Sequence, residues 1–244
     1  MIDIHCHILP GLDDGAQTLR ESLVLANAAV ENGITHTVCT PHIHYGRYNN
    51  NAASISIVCN NLHNALIENG INLAISCAAE VRFDIEILSA IERDDIPFLG
   101  KWHGENILLL EFPHGDMPVG ATVLTRKLLD YGIRPMIAHP ERNKGLLERP
   151  EYLSPFIEQG CLLQLTAASV TGNFGPKSEM MALSLIEKGQ ATVVATDAHH
   201  IKRRPPLLKQ AYNIVCERVG YDTAQQLMVN TPWEIVQSLF PNTS

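Results

Sequence analysis

Short apolar runs recur along the chain, separated by longer stretches with helical spacing. Seven runs read as strands, at 1–7, 36–42, 73–81, 107–112, 134–139, 161–167 and 191–197. Several are rich in Val, Ile, Leu and Thr and uninterrupted by charge, the pattern of strands covered on both faces. Between them the spacing predicts helices near 19–32, 52–69, 84–94, 119–131, 150–159 and 179–188. Many stop at a glycine (Gly33, Gly70, Gly132, Gly160, Gly189), a residue that accepts the left-handed conformation closing a helix. From Pro205 onward the chain reads as further helices, with Pro232 near the start of the last. Strand–helix alternation repeated seven times implies parallel pairing through right-handed crossovers. That arrangement curls into a barrel or spreads as a doubly wound layer, and periodicity leaves the choice open. With no internal repeat, low-complexity tract or linker, the 244 residues are expected to form one domain, 1–244, a length common for single-domain barrels.

Composition narrows the function. Hydrophobic residues make up 45%, enough for a core that needs no disulfide staples. The net charge of −8 disfavours a nucleic-acid binder, which would carry a basic face. No apolar stretch is long enough to span a membrane, and the polar start at Asp3 does not resemble a signal peptide. The six scattered cysteines, none in a Cys-x-x-Cys pair, read as reduced thiols of a cytoplasmic protein with no membrane insertion.

The eleven histidines matter through their positions. Six of the seven strand ends carry a metal-capable residue: His5 and His7, His42, Glu80, Glu111, His139, and Asp197 with His199. In parallel α/β folds active sites form at that edge. His5 and His7 are two apart, so on a strand both point to one face and can chelate one ion; Asp197 and His199 repeat the spacing. Each residue taken singly has an ordinary structural explanation: a core histidine, an ion pair such as Glu80 with Arg82, or a turn at Asp13-Asp14-Gly15. All of them holding together at six strand ends is a much stronger demand. Five histidines (5, 7, 42, 139, 199) and four carboxylates (14, 80, 111, 197) are too many for one ion and suit two or three. Imidazole mixed with carboxylate, without a thiolate cluster, suits Mn, Fe or Zn in a hydrolytic site. Three divalent ions would outweigh the four carboxylates and attract a phosphate despite the acidic chain.

The motifs His5-Cys6-His7, Thr40-Pro41-His42, Ala79-Glu80, His139-Pro140-Glu141-Arg142 and Asp197-Ala198-His199 resemble those of the polymerase and histidinol phosphatase (PHP) superfamily over nearly the whole chain. Within it, the run from Asp3 to Gly15 resembles the manganese-dependent bacterial protein-tyrosine phosphatases of capsule and exopolysaccharide synthesis. The resemblance implies a distorted seven-stranded β/α barrel with mainly parallel strands and a trinuclear centre, holding three divalent ions, Mn first and Fe or Zn as alternatives. It places His5, His7, Glu80 and Asp197 around one ion, Glu80, Glu111 and His139 around a second, and Asp14, His42 and His199 around the third. It also implies two phosphate-binding arginines: Arg142, and Arg203 or Arg204, with spacing favouring Arg204.

The resemblance further implies hydrolysis of phosphotyrosine by a metal-bound hydroxide attacking in line, with Arg142 neutralising phosphoryl oxygens and His42, His199 or a metal-bound water available for proton transfer. The implied partner is a phosphotyrosine protein, the tyrosine-rich tail of a membrane-associated autokinase; the loops 45–51 and 174–177 could receive it. Cysteine-based phosphatase chemistry needs an arginine six residues after the nucleophile, and the six cysteines are followed there by Leu12, Tyr45, Ala65, Phe83, Ala167 and Asp222. That route is excluded. The competing readings are a PHP-type phosphomonoesterase acting on a small molecule such as histidinol phosphate, a metal-dependent nuclease, and a non-catalytic metal-binding module.

Overall fold

A computed structural model describes residues 1–240. Ten strands follow in order: β1 (Ile2–Cys6), β2 (His36–Cys39), β3 (His42–Ile43), β4 (Ala74–Cys77), β5 (Glu80–Arg82), β6 (Lys101–Trp102), β7 (Glu105–Glu111), β8 (Ile133–Ala138), β9 (Leu162–Thr166) and β10 (Val193–Ala195). They form one sheet ordered β1-β2-β4 and a second ordered β10-β9-β8-β7-β5-β3. Every pairing is parallel except the small hairpin of β6 on β7.

The expected strands 36–42 and 73–81 are each two strands, because the chain bends at Thr40-Pro41 and again at Ala78-Ala79. Proline has no N–H to give a ladder, which favours a break there. Backbone bonds from Ala78 N to Cys39 O (2.9 Å) and Glu80 N to Pro41 O (3.2 Å) carry the pairing through both bends. Where the two sheets meet, Cys6 bridges Ala198, His7 N donates to Ala198 O and Asp197 N to His5 O, both at 2.8 Å. The strands therefore follow the order of the expected ring, with a ladder divided between two sheets rather than continuous around a barrel.

Helices cover the outside. The helix Leu19–Glu31 opens with a capping box of Thr18 and Glu21. At its end, Gly33 takes a positive φ of 78°. The expected helix 150–159 is instead a 3-10 turn, Pro150–Leu153, followed by a short helix, Ser154–Glu158. Ala167, expected to end a strand, starts the helix Ala167–Val170. The tail is helical as expected, and Pro232 lies in the first turn of Thr231–Val236.

Two apolar clusters result. One lies between strands and helices and includes Leu25, Leu62, Leu108, Leu110 and Phe156. The other lies inside, where Ile2, Ile4, Val38, Ile107, Leu109, Met136 and Val193 meet Ile235 and Val236 of the C-terminal helix. Side chains alternate along a strand, so inward rows recur every second residue. On β7 the inward row runs Ile107, Leu109, Glu111, and beyond β10 it runs Val193, Ala195, Asp197. The period that packs the inner core thus delivers carboxylates to one end of it.

Candidate metal centre

β1 changes register between Asp3 and Cys6. Such an irregularity re-aims side chains. Ile4 joins the inner core, while His5 and His7 both face its polar end, and the buried Cys6 thiol turns toward Val38 O instead. The outer nitrogens of these imidazoles are held. His5 Nδ1 lies 2.8 Å from Gln164 Oε1, whose own amide donates to Leu165 O, and His7 Nδ1 lies 2.7 Å from Asp13 Oδ2. With Nδ1 donating in each, a neutral ring keeps its Nε2 lone pair for a cation, and the two Nε2 atoms stand 3.2 Å apart.

Glu80 Oε2 stands 3.3 Å from each of these Nε2 atoms, and Asp197 Oδ1 stands 3.4 Å from each. Donors around one ion at about 2.1 Å are separated by about 3.0 Å at right angles and about 3.4 Å tetrahedrally. The five spacings of 3.2–3.4 Å are those of a coordination polyhedron. Glu80 Oε2 and Asp197 Oδ1, both buried, have no hydrogen-bond partner, and the same holds for His42 Nδ1 and His199 Nε2. Buried polar atoms are almost always satisfied, so four orphans in one place fit residues arranged for cations.

The remaining candidates surround this core. His42 Nε2 and His199 Nε2 lie 3.4 and 3.6 Å from Asp14 Oδ1, and together with His7 these residues form a second cluster of possible ligands. Glu80 Oε1 meets His139 Nε2 at 2.8 Å. His139 also groups with His5 and Asp197, whereas Glu111 groups with Glu80 and His42. Glu80, Glu111 and His139 do not fall into one cluster; Arg82, opposite Glu111 in the β5–β7 register, ion-pairs with it at 3.0 Å. Arg82 is thus the partner of Glu111 and not of Glu80.

Charge follows this geometry. Burial opposes protonation of His5, His7 and His42, but the carboxylates around them outweigh it and raise all three, His42 to about 10. Burial brings His139 down to about 4, aided by Arg142, and His199 to about 4, aided by His7. Burial likewise works against ionised Glu80 and Asp197, yet the surrounding histidines and arginines hold both well below the usual carboxylate range. Buried acids that keep their charge demand positive charge among them.

His139 and Asp197 take left-handed backbone conformations (φ 33° and 52°), rare for residues with a side chain and concentrated at functional sites. Gly15 closes the Asp13–Asp14 turn so tightly on β1 that a Cβ there would stand 2.0 Å from His7 O.

Arg142 Nη1 and Arg204 Nη2 both donate to Asp197 Oδ2. Arg203 is exposed, so of the two arginines open at that position Arg204 is the one at the centre. Arg142 lies 4.4 Å from the centroid of the Phe174 ring, and Tyr48 stacks on His42 at 5.7 Å, which brings both candidate loops to the rim. Sequence reasoning did not single out Gln164 or assign Asp13 its hold on His7. Gln164 was visible as the one amide on the inward row Leu162–Gln164–Thr166 of β9, the strand that supplies no ligand.

Comparison with known proteins follows the same lines. A family model described as capsular polysaccharide synthesis, CpsB/CapC, matches residues 1–237. The chain is 33% identical over 230 residues to the putative tyrosine-protein phosphatase CapC of Staphylococcus aureus, covering 94% of this chain and 89% of that one. It is 34% identical to the tyrosine-protein phosphatase YwqE of Bacillus subtilis over the same shares. The tyrosine-protein phosphatase CpsB of Streptococcus pneumoniae is 31% identical, with 97% and 98% covered. A crystal structure from work on YwqE and CpsB, described as unique metal-dependent tyrosine phosphatases, superposes with a TM-score of 0.86 at 32% identity, over 100% of this chain and 96% of that one. The organophosphorus hydrolase of Deinococcus radiodurans shares the fold at a TM-score of 0.60 and 14% identity, over 96% and 92%. This chain belongs to the CpsB/CapC family of capsular polysaccharide synthesis.

Proposed function

We propose that this chain is a metal-dependent tyrosine-protein phosphatase acting in capsule or exopolysaccharide synthesis. The observation that carries the reading is the set of donor spacings of 3.2–3.4 Å among His5, His7, Glu80 and Asp197, with two arginines converging on the outer oxygen of Asp197. Three ions are proposed: one on His5, His7, Glu80 and Asp197, one on Asp14, His42 and His199, and one on Glu80, His139 and Glu111. Manganese is favoured by the family resemblance, and the imidazole–carboxylate donor set accommodates it. When bound, divalent ions supply Lewis acidity and acidify water near neutral pH.

The chain's own residues do the rest. Asp13 and Gln164 fix the His7 and His5 rings with their lone pairs inward. Arg142 and Arg204 hold the non-bridging oxygens of the phosphoryl group, where the charge of a loose transition state gathers. His199 gives its Nδ1 hydrogen to Asp197 O, and His42 turns its two nitrogens toward Glu80 and Asp14. Both are assigned to ligation rather than proton donation. A tyrosine leaving group, with a pKa of about 10, departs with little acid help.

The proposed substrate is the tyrosine-rich tail of a membrane-associated autokinase. The chain is placed in the cytoplasm, for which its six free cysteines are suited, and no described helix is long and apolar enough to cross a membrane. The test compares a phosphotyrosyl peptide with histidinol phosphate on manganese-loaded protein. A strong preference for the peptide is expected; a strong preference for histidinol phosphate overturns the substrate assignment.

A further inference from the structure

A cavity of about 390 Å³ opens beside the two arginines, lined by Asn173, Phe174, Lys202, Arg203, Arg204 and Leu207 among others. That volume lies within the range of small-ligand sites, about 300–1,000 Å³. It adjoins the metal centre directly, because Arg204 forms one wall while reaching Asp197, and Phe174 forms another while its ring carries Arg142. Its charge is unlike the rest of the chain. Lys202 and Arg203 are exposed at its lip in a protein of net charge −8, and no carboxylate lines it.

We infer that this cavity is a specificity subsite for an acidic residue next to the phosphotyrosine of a protein substrate. The inference rests on the phosphotyrosine reading above. A phosphoryl group held by Arg142 and Arg204 leaves the neighbouring peptide residues at the rim, and the cavity is a part of the rim that shares a wall with the phosphate site. Phe174 and Leu207 suit the apolar stem of a glutamate or aspartate, Asn173 offers an amide, and Lys202 and Arg203 meet the carboxylate head. A lysine or arginine in the peptide meets the same two cations and is repelled. Ion pairs at an exposed lip are individually weak, so the discrimination belongs in KM and fades with salt.

Two phosphotyrosyl peptides of equal length, one flanked by Glu and Asp and one by Lys, test this on the manganese-loaded protein and on the Lys202→Glu/Arg203→Glu double variant. The ratio of kcat/KM between the peptides is the readout, so a global effect of substitution cancels. The native chain is expected to favour the acidic peptide about tenfold at low salt through KM, and the variant to lose or invert that ratio. A native ratio near one, or a ratio that survives in the variant, overturns the subsite. If p-nitrophenyl phosphate is hydrolysed but neither peptide is, the phosphotyrosine reading falls instead. The subsite is then judged by how strongly each peptide inhibits that hydrolysis: stronger inhibition by the acidic peptide, lost in the variant, supports it, and equal inhibition overturns it.

Discussion

The inward faces of these strands carry two materials, one above the other. At the lower end Ile4, Val38, Ile107, Leu109 and Val193 pack against Ile235 and Val236, all buried and apolar. At the upper end, one inward position further along, stand Glu80, Glu111 and Asp197 with the histidines of β1 and its neighbours, equally buried and almost wholly polar. Each end has a glycine where backbone meets backbone. A Cβ at Gly100 would stand 2.2 Å from Ile235 O, and one at Gly15 would stand 2.0 Å from His7 O. The floor is satisfied by its own contacts, whereas the cage leaves Glu80 Oε2, Asp197 Oδ1, His42 Nδ1 and His199 Nε2 without partners. Burial alone therefore does not distinguish a core from a site; several unsatisfied donor atoms converging on one place do.

Substitutions at the two ends should separate stability from chemistry. The largest effect is expected from Arg142→Ala or Arg204→Ala, each lowering kcat/KM for a phosphotyrosyl peptide by about 10²–10³-fold, measured on metal-loaded protein whose fold is checked separately. Asp13→Asn weakens the hold on His7 and should cost about 10–100-fold in metal affinity, read by titration of the metal-free protein. At the floor, Ile235→Ala should lower unfolding stability by about 2–5 kcal/mol in denaturant melts while folded molecules keep their metal content and turnover. Loss of metal from that variant while it remains folded would blur the comparison. The smallest effect is expected for Cys6→Ser. Its thiol faces Val38 O and away from the cage, so the variant should retain most of its turnover, and complete loss with metals still bound would contradict hydrolysis without a cysteine nucleophile.

Much of this was legible in the sequence because one periodicity serves both ends. The alternation Ile107, Leu109, Glu111 announces a buried strand and a carboxylate beyond it in the same seven residues. Helix closure at Gly33 and the helical tail follow from equally local rules. What stayed hidden depends on contacts between distant segments. The pairing of Arg82 with Glu111 across two strands and the hold of Gln164 on His5 over 159 residues are set by register, which one strand's pattern does not reveal. The register change in β1 belongs here too: strict alternation from Ile4 would have turned Cys6 inward in place of the histidines.

The most direct measurement is anomalous diffraction at the manganese edge from crystals of the metal-loaded protein. Three peaks are expected: one among His5, His7, Glu80 and Asp197, one at Asp14, His42 and His199, and one by Glu80, His139 and Glu111. A loaded, active crystal with no peak within reach of His5, His7, Glu80 and Asp197 would contradict the account.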